Sequence, residues 1–229
     1  MISTAAVLAL LLQLTPVPAG EAILKRVEAA LASVQDYTVT LDITADIEQA
    51  NIPPMKATMY FKQPDRIHFE SQGFALLPRE AFSLSPTRLL ERFRVDSVAV
   101  DTAEGEKIYR LHLTARDEKV RMREAWLDVS PERWTIDRGR LTFADDRTIA
   151  VRFRHERVGS VWLPSELFLS ISQAGAVPSE APPSDEGRPA QLGRRALRKG
   201  SVVIRYSGYR LNTGLSDDIF VPSSVPGGR

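Results

Sequence analysis

The stretch Tyr37-Thr38-Val39-Thr40-Leu41-Asp42-Ile43-Thr44-Ala45-Asp46-Ile47-Glu48 decides how the rest of the chain is read. Apolar and polar residues alternate along it without a break. Successive side chains of a strand point to opposite faces, so this period of two specifies a half-buried strand with Tyr37, Val39, Leu41, Ile43, Ala45 and Ile47 toward the core. Immediately before it the period is different. Ile23, Leu24, Val27, Leu31 and Val34 recur at three- and four-residue spacing, which predicts an amphipathic helix over Gly20 to Val34, with Glu21 and Lys25 one turn apart on another face.

Reading onward from the same strand, Asn51 to Pro54 make a turn. Met55, Ala57, Met59 and Phe61 then resume the alternation, Gln63, Pro64 and Asp65 break it, and Ile67 and Phe69 take it up again. Ser85 followed by Pro86 has the form of an N-cap and first helical position, predicting a short helix with Leu89, Leu90 and Phe93 on one side. A long meander follows, punctuated at Ala103 to Gly105, Asp117 to Glu118, Ser130 to Arg133, Asp145 to Asp146, and Gly159. Its strands carry Tyr109, Leu111 and Leu113, then Val120, Met122 and Trp126, then Ile149, Val151 and Phe153, then Leu167, Leu169 and Ile171, and last Val202, Ile204 and Tyr206. Without crossover helices these strands pair antiparallel, so the expected class is mainly β with a few helices.

Composition narrows the function. Hydrophobic residues are 43% and charged residues 26% of 229, the balance of a globular chain able to build a core. Lys and Arg total 30 against 29 Asp and Glu, so no charge excess points to nucleic acid as a partner. There is no cysteine, which excludes disulfides, thiolate chemistry and a lipid-modified cysteine anchor. Residues 1–19 carry no charged side chain and hold an apolar run from Ala5 to Leu14, too short to span a bilayer. Small residues before Gly20 suit signal peptidase, so 1–19 is expected to be a signal peptide and the periplasm the destination. The alternative is a buried N-terminal helix. From Gln173 to Lys199 the strand pattern gives way to Pro, Gly, Ser and Ala, with Arg188, Arg194, Arg195, Arg198 and Lys199 in the second half. A flexible insertion at 173–199 is expected, its basic half either touching anionic headgroups or simply solvated.

The helix, the long strand, the second strand and then Tyr60-Phe61-Lys62-Gln63-Pro64-Asp65-Arg66-Ile67 together resemble the LolA-like family of lipoprotein-sorting proteins. Trp134 to Arg154, two hairpin strands around Asp145-Asp146, and the closing Gly214-Leu215-Ser216-Asp217-Asp218-Ile219-Phe220-Val221-Pro222 also look like that family's final strands and ending. The resemblance implies an incomplete antiparallel β-barrel, a half-barrel closed by a few helices, in one domain over 20–229. It implies an apolar cavity for the acyl chains of lipoproteins or lipids. It also implies a monomeric carrier that meets an inner-membrane transporter or an outer-membrane acceptor; some relatives instead act as envelope-stress or lipid-sensing regulators. Where the best-known carriers place a basic latch residue before the second hairpin's proline, this chain has Gln63, the latch candidate here. The stretch Gly73 to Phe93 lacks the strand hairpin of those carriers.

On this reading Leu41, Ile43, Ile47, Met59, Phe61, Phe69, Leu111, Leu113, Ile149, Val151 and Phe153 line the cavity, and Leu89, Leu90 and Phe93 form its lid. Ordinary core packing accounts for the same apolar residues. Methionines at 55, 59 and 122 suit an adaptable wall. No catalytic set is legible: His68, His112 and His155 are expected to point outward on separate strands, no metal-ligand spacing occurs, and Asp145-Asp146 and Asp217-Asp218 fall in turns. The chain is therefore expected to be a binding protein without cofactor rather than an enzyme.

Overall fold

The alternating stretch forms strand β1 (Asp36–Ile47) of a single antiparallel sheet in a computed structural model that describes residues 17–48, 52–70, 85–173 and 199–221. Helix α1 (Gly20–Ala30) precedes it, and β2 (Met55–Lys62) and β3 (Arg66–Glu70) follow. Helix α2 (Pro86–Arg92) opens the second half. Then come β4 (Phe93–Ala103), β5 (Glu106–Ala115), β6 (Met122–Ser130), β7 (Thr135–Phe143), β8 (Arg147–Val158), β9 (Val161–Gln173) and β10 (Gly200–Leu211), and a 3-10 turn (Asp217–Phe220).

The strand order is β3-β2-β1-β10-β9-β8-β7-β6-β5-β4. Because β10 returns beside β1, the order is that of an up-and-down barrel cut at one seam, between β3 and β4. These two strands are consecutive in the chain yet are the two free edges. Each edge needs cover, since unpaired backbone groups template aggregation. The 3-10 turn packs on β3, where Asp217 pairs with Lys62 and Arg66 and the Arg66 guanidinium lies over the Phe220 ring at 5.4 Å. That closing segment is a turn, as expected for Asp217-Asp218. It is held by Asp36, a buried carboxylate at the start of β1 that accepts from the backbone N–H groups of Thr213, Gly214 and Leu215.

Helix α1 lies across the concave face and packs on α2, β4 and β7. Its Ile23, Leu24 and Val27 enter the same core as Leu41, Ile43, Leu111, Leu113, Leu127, Leu141, Ile149 and Leu167. At its first residue a Cβ on Gly20 would sit 2.3 Å from Val95 Cγ1, so glycine lets the helix start press directly on β4. Each fully buried aliphatic side chain contributes roughly 1.5–3 kcal/mol relative to exposure, and the run of them along the sheet holds it against α1.

Four expectations need correction. Helix α1 ends at Ala30, and Val34, expected on its apolar face, packs instead with Val161 and Leu163 in a satellite cluster. Phe93, expected on a helix, is the first residue of β4 and is 1% exposed. Trp126, read in phase with Met122, is on the outer face: an irregularity between Met122 and Glu124 shifts the phase, so Ala125, Leu127 and Val129 point inward. His155 points inward too, continuing the Ile149, Val151, Phe153 face of β8, with its ring 6.0 Å from that of Phe153. Residues 1–16, 71–84 and 174–198 fall outside the described set, and with them most of the expected signal peptide and of the expected insertion.

Candidate functional site

Halfway along α1 the packing changes. Ile23, Leu24 and Val27 are buried against the sheet, and the same helical face continues into Ala30 and Leu31, both only half-buried. A cavity of about 620 Å³ remains there. Its roof is the C-terminal half of α1 with Leu31 and Val34, and Ser85 and Pro86 at the start of α2. One wall is the β2–β3 hairpin, with Phe61, Gln63, Pro64 and Ile67. The opposite wall comes from the ends of β7, β8 and β9, with Trp134, Ile136, Phe153, Val161, Trp162 and Leu163.

The floor is aromatic. Tyr37 stacks on Phe61 at 4.8 Å and meets Tyr209 edge-on at 5.5 Å, and Tyr209 donates its hydroxyl to the Pro164 carbonyl at 2.6 Å. Burial pushes the Tyr37, Tyr206 and Tyr209 phenols well above the ordinary tyrosine value, so all three stay neutral.

Three polar ties cross the roof's edges. The Gln63 side-chain amide donates to the Leu31 carbonyl at 3.2 Å, just past the end of α1. Thr87 of α2 donates to Glu28 of α1, and Arg88 of α2 pairs with Asp65 in the β2–β3 turn. On the far wall sits a small polar cluster. Asp137 accepts from Thr135 Oγ1 at 2.7 Å and from Arg133 Nη2 at 3.0 Å, and lies 3.3 Å from His155 Nδ1. Burial alone would raise the Asp137 carboxyl, but the hydrogen bonds from His155, Thr135 and Arg133 outweigh it and hold the group below its ordinary value.

Of the residues singled out in the sequence, Phe61, Phe153 and Gln63 stand in this cavity's wall. Leu41, Ile43, Ile47, Met59, Leu111, Leu113, Ile149 and Val151 are buried in the core, with Phe69 packed against it, and none of them borders this cavity. Leu89, Leu90 and Phe93 also belong to the core and not to the roof, which α1 supplies. Asp145 caps its own turn through Arg147, and Asp217 serves the β3 edge. Among the described residues no group of three or more metal-ligating side chains converges, and no helix is long and apolar enough to cross a membrane. Trp134, Trp162, Arg133, His155 and Ala30 were not legible as lining residues. The parity of β8 was the one available signal for His155.

An open antiparallel half-barrel with two helices on its hollow side is the class this architecture defines. Solved structures place it further. A DUF1329 family protein from Desulfovibrio piger superposes with TM-score 0.59 at 15% identity, over 89% of this chain and 96% of its own. A LolA superfamily protein from Nitrosomonas europaea gives 0.59 at 11%, covering 90% and 98%. A domain named for outer-membrane lipoprotein sorting, from Vibrio parahaemolyticus, gives 0.59 at 11%, covering 88% and 95%. No protein-family model matches the sequence, and no curated protein does. The chain has a LolA-like fold.

Proposed function

We infer that this protein is a periplasmic lipid or lipoprotein carrier, delivered by a cleaved signal peptide, that shelters an acyl chain in the cavity under α1. One observation supports this most: a largely apolar hollow of about 620 Å³ lies at the C-terminal half of α1, on a LolA-like half-barrel. That volume falls within the roughly 300–1,000 Å³ common for small-molecule sites. Each methylene moved from water into such a site gains about 0.8 kcal/mol, enough to hold a long chain in an aqueous compartment. Release requires the roof to lift. Side-chain ties at its edges, Gln63 to Leu31, Thr87 to Glu28 and Arg88 to Asp65, help hold the far half of α1 and the start of α2 in place. A membrane transporter or acceptor would act on that end.

The test is displacement of a polarity-sensitive apolar dye from the purified protein by long-chain lipids. Wild type is expected to bind and exchange the dye, and Ala30→Trp, which puts an indole into the cavity, to lose dye binding while its melting temperature holds. Dye binding unchanged in Ala30→Trp would place any lipid elsewhere, and no dye or lipid binding by wild type would end the carrier reading.

A further inference from the structure

The outer face of β7 to β10 gathers positive charge on a chain whose formal net charge is only +1. Alternation with the buried Leu141, Val151, Leu167 and Ile204 turns Arg138, Arg140, Arg152, Arg154 and Arg205 outward. Strand pairing sets them side by side: Arg138 stands opposite Arg152, and Glu166 stands opposite both Arg154 and Arg205. Like charges directly opposite each other destabilise a sheet, so packing does not explain the arrangement. Arg138 is neutralised by Glu104 of the β4–β5 turn, and Asp128, which stands opposite Arg138, is held by Arg110 at 2.8 Å. Glu166 is shared, 3.6 Å from Arg154 and 3.4 Å from Arg205. Among the described residues Arg140 and Arg152, both exposed, have no acidic partner. Arg140, Arg152, Arg154 and Arg205 set against Glu166 alone leave the patch with three positive charges.

Two large apolar side chains break the surface in the same region. Phe168 is 41% exposed and stands between Arg152 of β8 and Val203 of β10, and Trp126, 39% exposed, stands opposite Arg140. Guanidinium groups around exposed rings suit an anionic lipid surface, where each guanidinium takes phosphate oxygens and a ring enters among the headgroups. Topology favours a bilayer over an acidic peptide. Strands β7, β8, β9 and β10 are each paired on both sides, so no free backbone edge can receive an extended chain. The charges instead spread in two dimensions over four neighbouring strands, spaced about 4.8 Å apart, on the side away from α1. We propose that this face docks on a bilayer containing anionic phospholipid, with phosphates held by Arg140, Arg152, Arg154 and Arg205 and with Phe168 entering the headgroup layer. The docking does not use the cavity and stands apart from the carrier reading.

The experiment is flotation of the full chain with vesicles of phosphatidylcholine, alone or mixed with phosphatidylglycerol, at low and high salt. Wild type is expected to float with the mixed vesicles only and to come off them in high salt, because the attraction acts within a Debye length. Arg140→Gln combined with Arg152→Gln should weaken binding about 30-fold, roughly fivefold for each charge removed. That variant should melt no lower than wild type, since the opposition of Arg138 and Arg152 is relieved. Lys56→Gln combined with Lys107→Gln removes the same charge from exposed residues of β2 and β5 and should stay within about twofold of wild type. The chain has no cysteine, so Phe168→Cys carrying an environment-sensitive dye reports the contact directly. Its emission should shift to the blue on mixed vesicles, and that of a labelled Lys56→Cys should not. Ala30→Trp, with the cavity filled, should float as wild type does. Equal binding to neutral vesicles, loss of flotation in Ala30→Trp, or the two double variants weakened alike overturns the proposal. So does a protein that ignores both kinds of vesicle and binds polyglutamate through Arg140 and Arg152, which gives the face to an acidic protein. Each of these results leaves the carrier reading to its own dye test.

Discussion

The two halves of α1 face the same sheet and do opposite things. Under Ile23, Leu24 and Val27 the concave face is packed solid, with Leu111, Leu113, Leu127 and Leu141 all at 0% exposure. Beyond Val27, at Ala30 and Leu31, a cavity remains, and Phe61, Trp134, Phe153 and Trp162 stand in its wall. The difference teaches how one half-barrel combines a solid core with a cavity: aliphatic interdigitation anchors one end of the helix, and the short side chain of Ala30 opposite large flat ones leaves the other end open. Rigid rings define a wall without filling it, because they lack the branched bulk that would close the gap.

The largest effect should come from disturbing the solid end. Leu111→Ala is expected to cost about 2–5 kcal/mol by urea denaturation, because it leaves a void that the surrounding core cannot collapse into. Phe153→Ala removes more atoms yet should cost less than half as much, since it enlarges space already present, and it should weaken dye binding several-fold. Equal losses in the two variants would erase the distinction between the ends.

Much of this contrast was hidden in the sequence, although the fold was not. The unbroken alternation from Tyr37 to Glu48 and the three- and four-residue spacing from Ile23 onward gave the helix-then-sheet order because both are local periodicities. Phe61 and Phe153 were legible as wall residues by the same parity. Leu41 and Leu111 share that parity, and nothing in it tells a filled position from an open one, since that depends on what stands across the gap. The phase shift after Met122 was invisible for a related reason: an irregularity in strand pairing is a property of two strands, and it sent Trp126 outward to stack on His112 at 4.2 Å.

A smaller effect should separate the closing segment from both ends of the helix. Burial works against the Asp36 charge, but the backbone N–H groups of Thr213, Leu215 and Gly214 outweigh it and hold the carboxyl below its ordinary value of 3.8. A carboxyl depressed by folding stabilises the native state fully above its unfolded value, and that stabilisation drains away as pH falls through the folded value. Stability should therefore drop as pH falls below about 4, and Asp36→Asn should be less stable at neutral pH with a flatter acid limb. An acid limb of unchanged slope in that variant would remove Asp36 as the anchor of the 3-10 turn.

The smallest effect belongs to the latch. Gln63→Ala removes the bond to the Leu31 carbonyl and should cost only about 0.5–1.5 kcal/mol of stability. Its signature is kinetic: stopped-flow release of dye from the hollow end should speed up by several-fold, whereas Leu111→Ala should change stability more than release.

The most direct measurement is native mass spectrometry of the protein taken from its own host. The account predicts a single lipid-sized mass on each chain, lost on collisional activation and missing from Ala30→Trp. A wild-type chain that carries no such mass, and takes up none when lipid is offered, contradicts it.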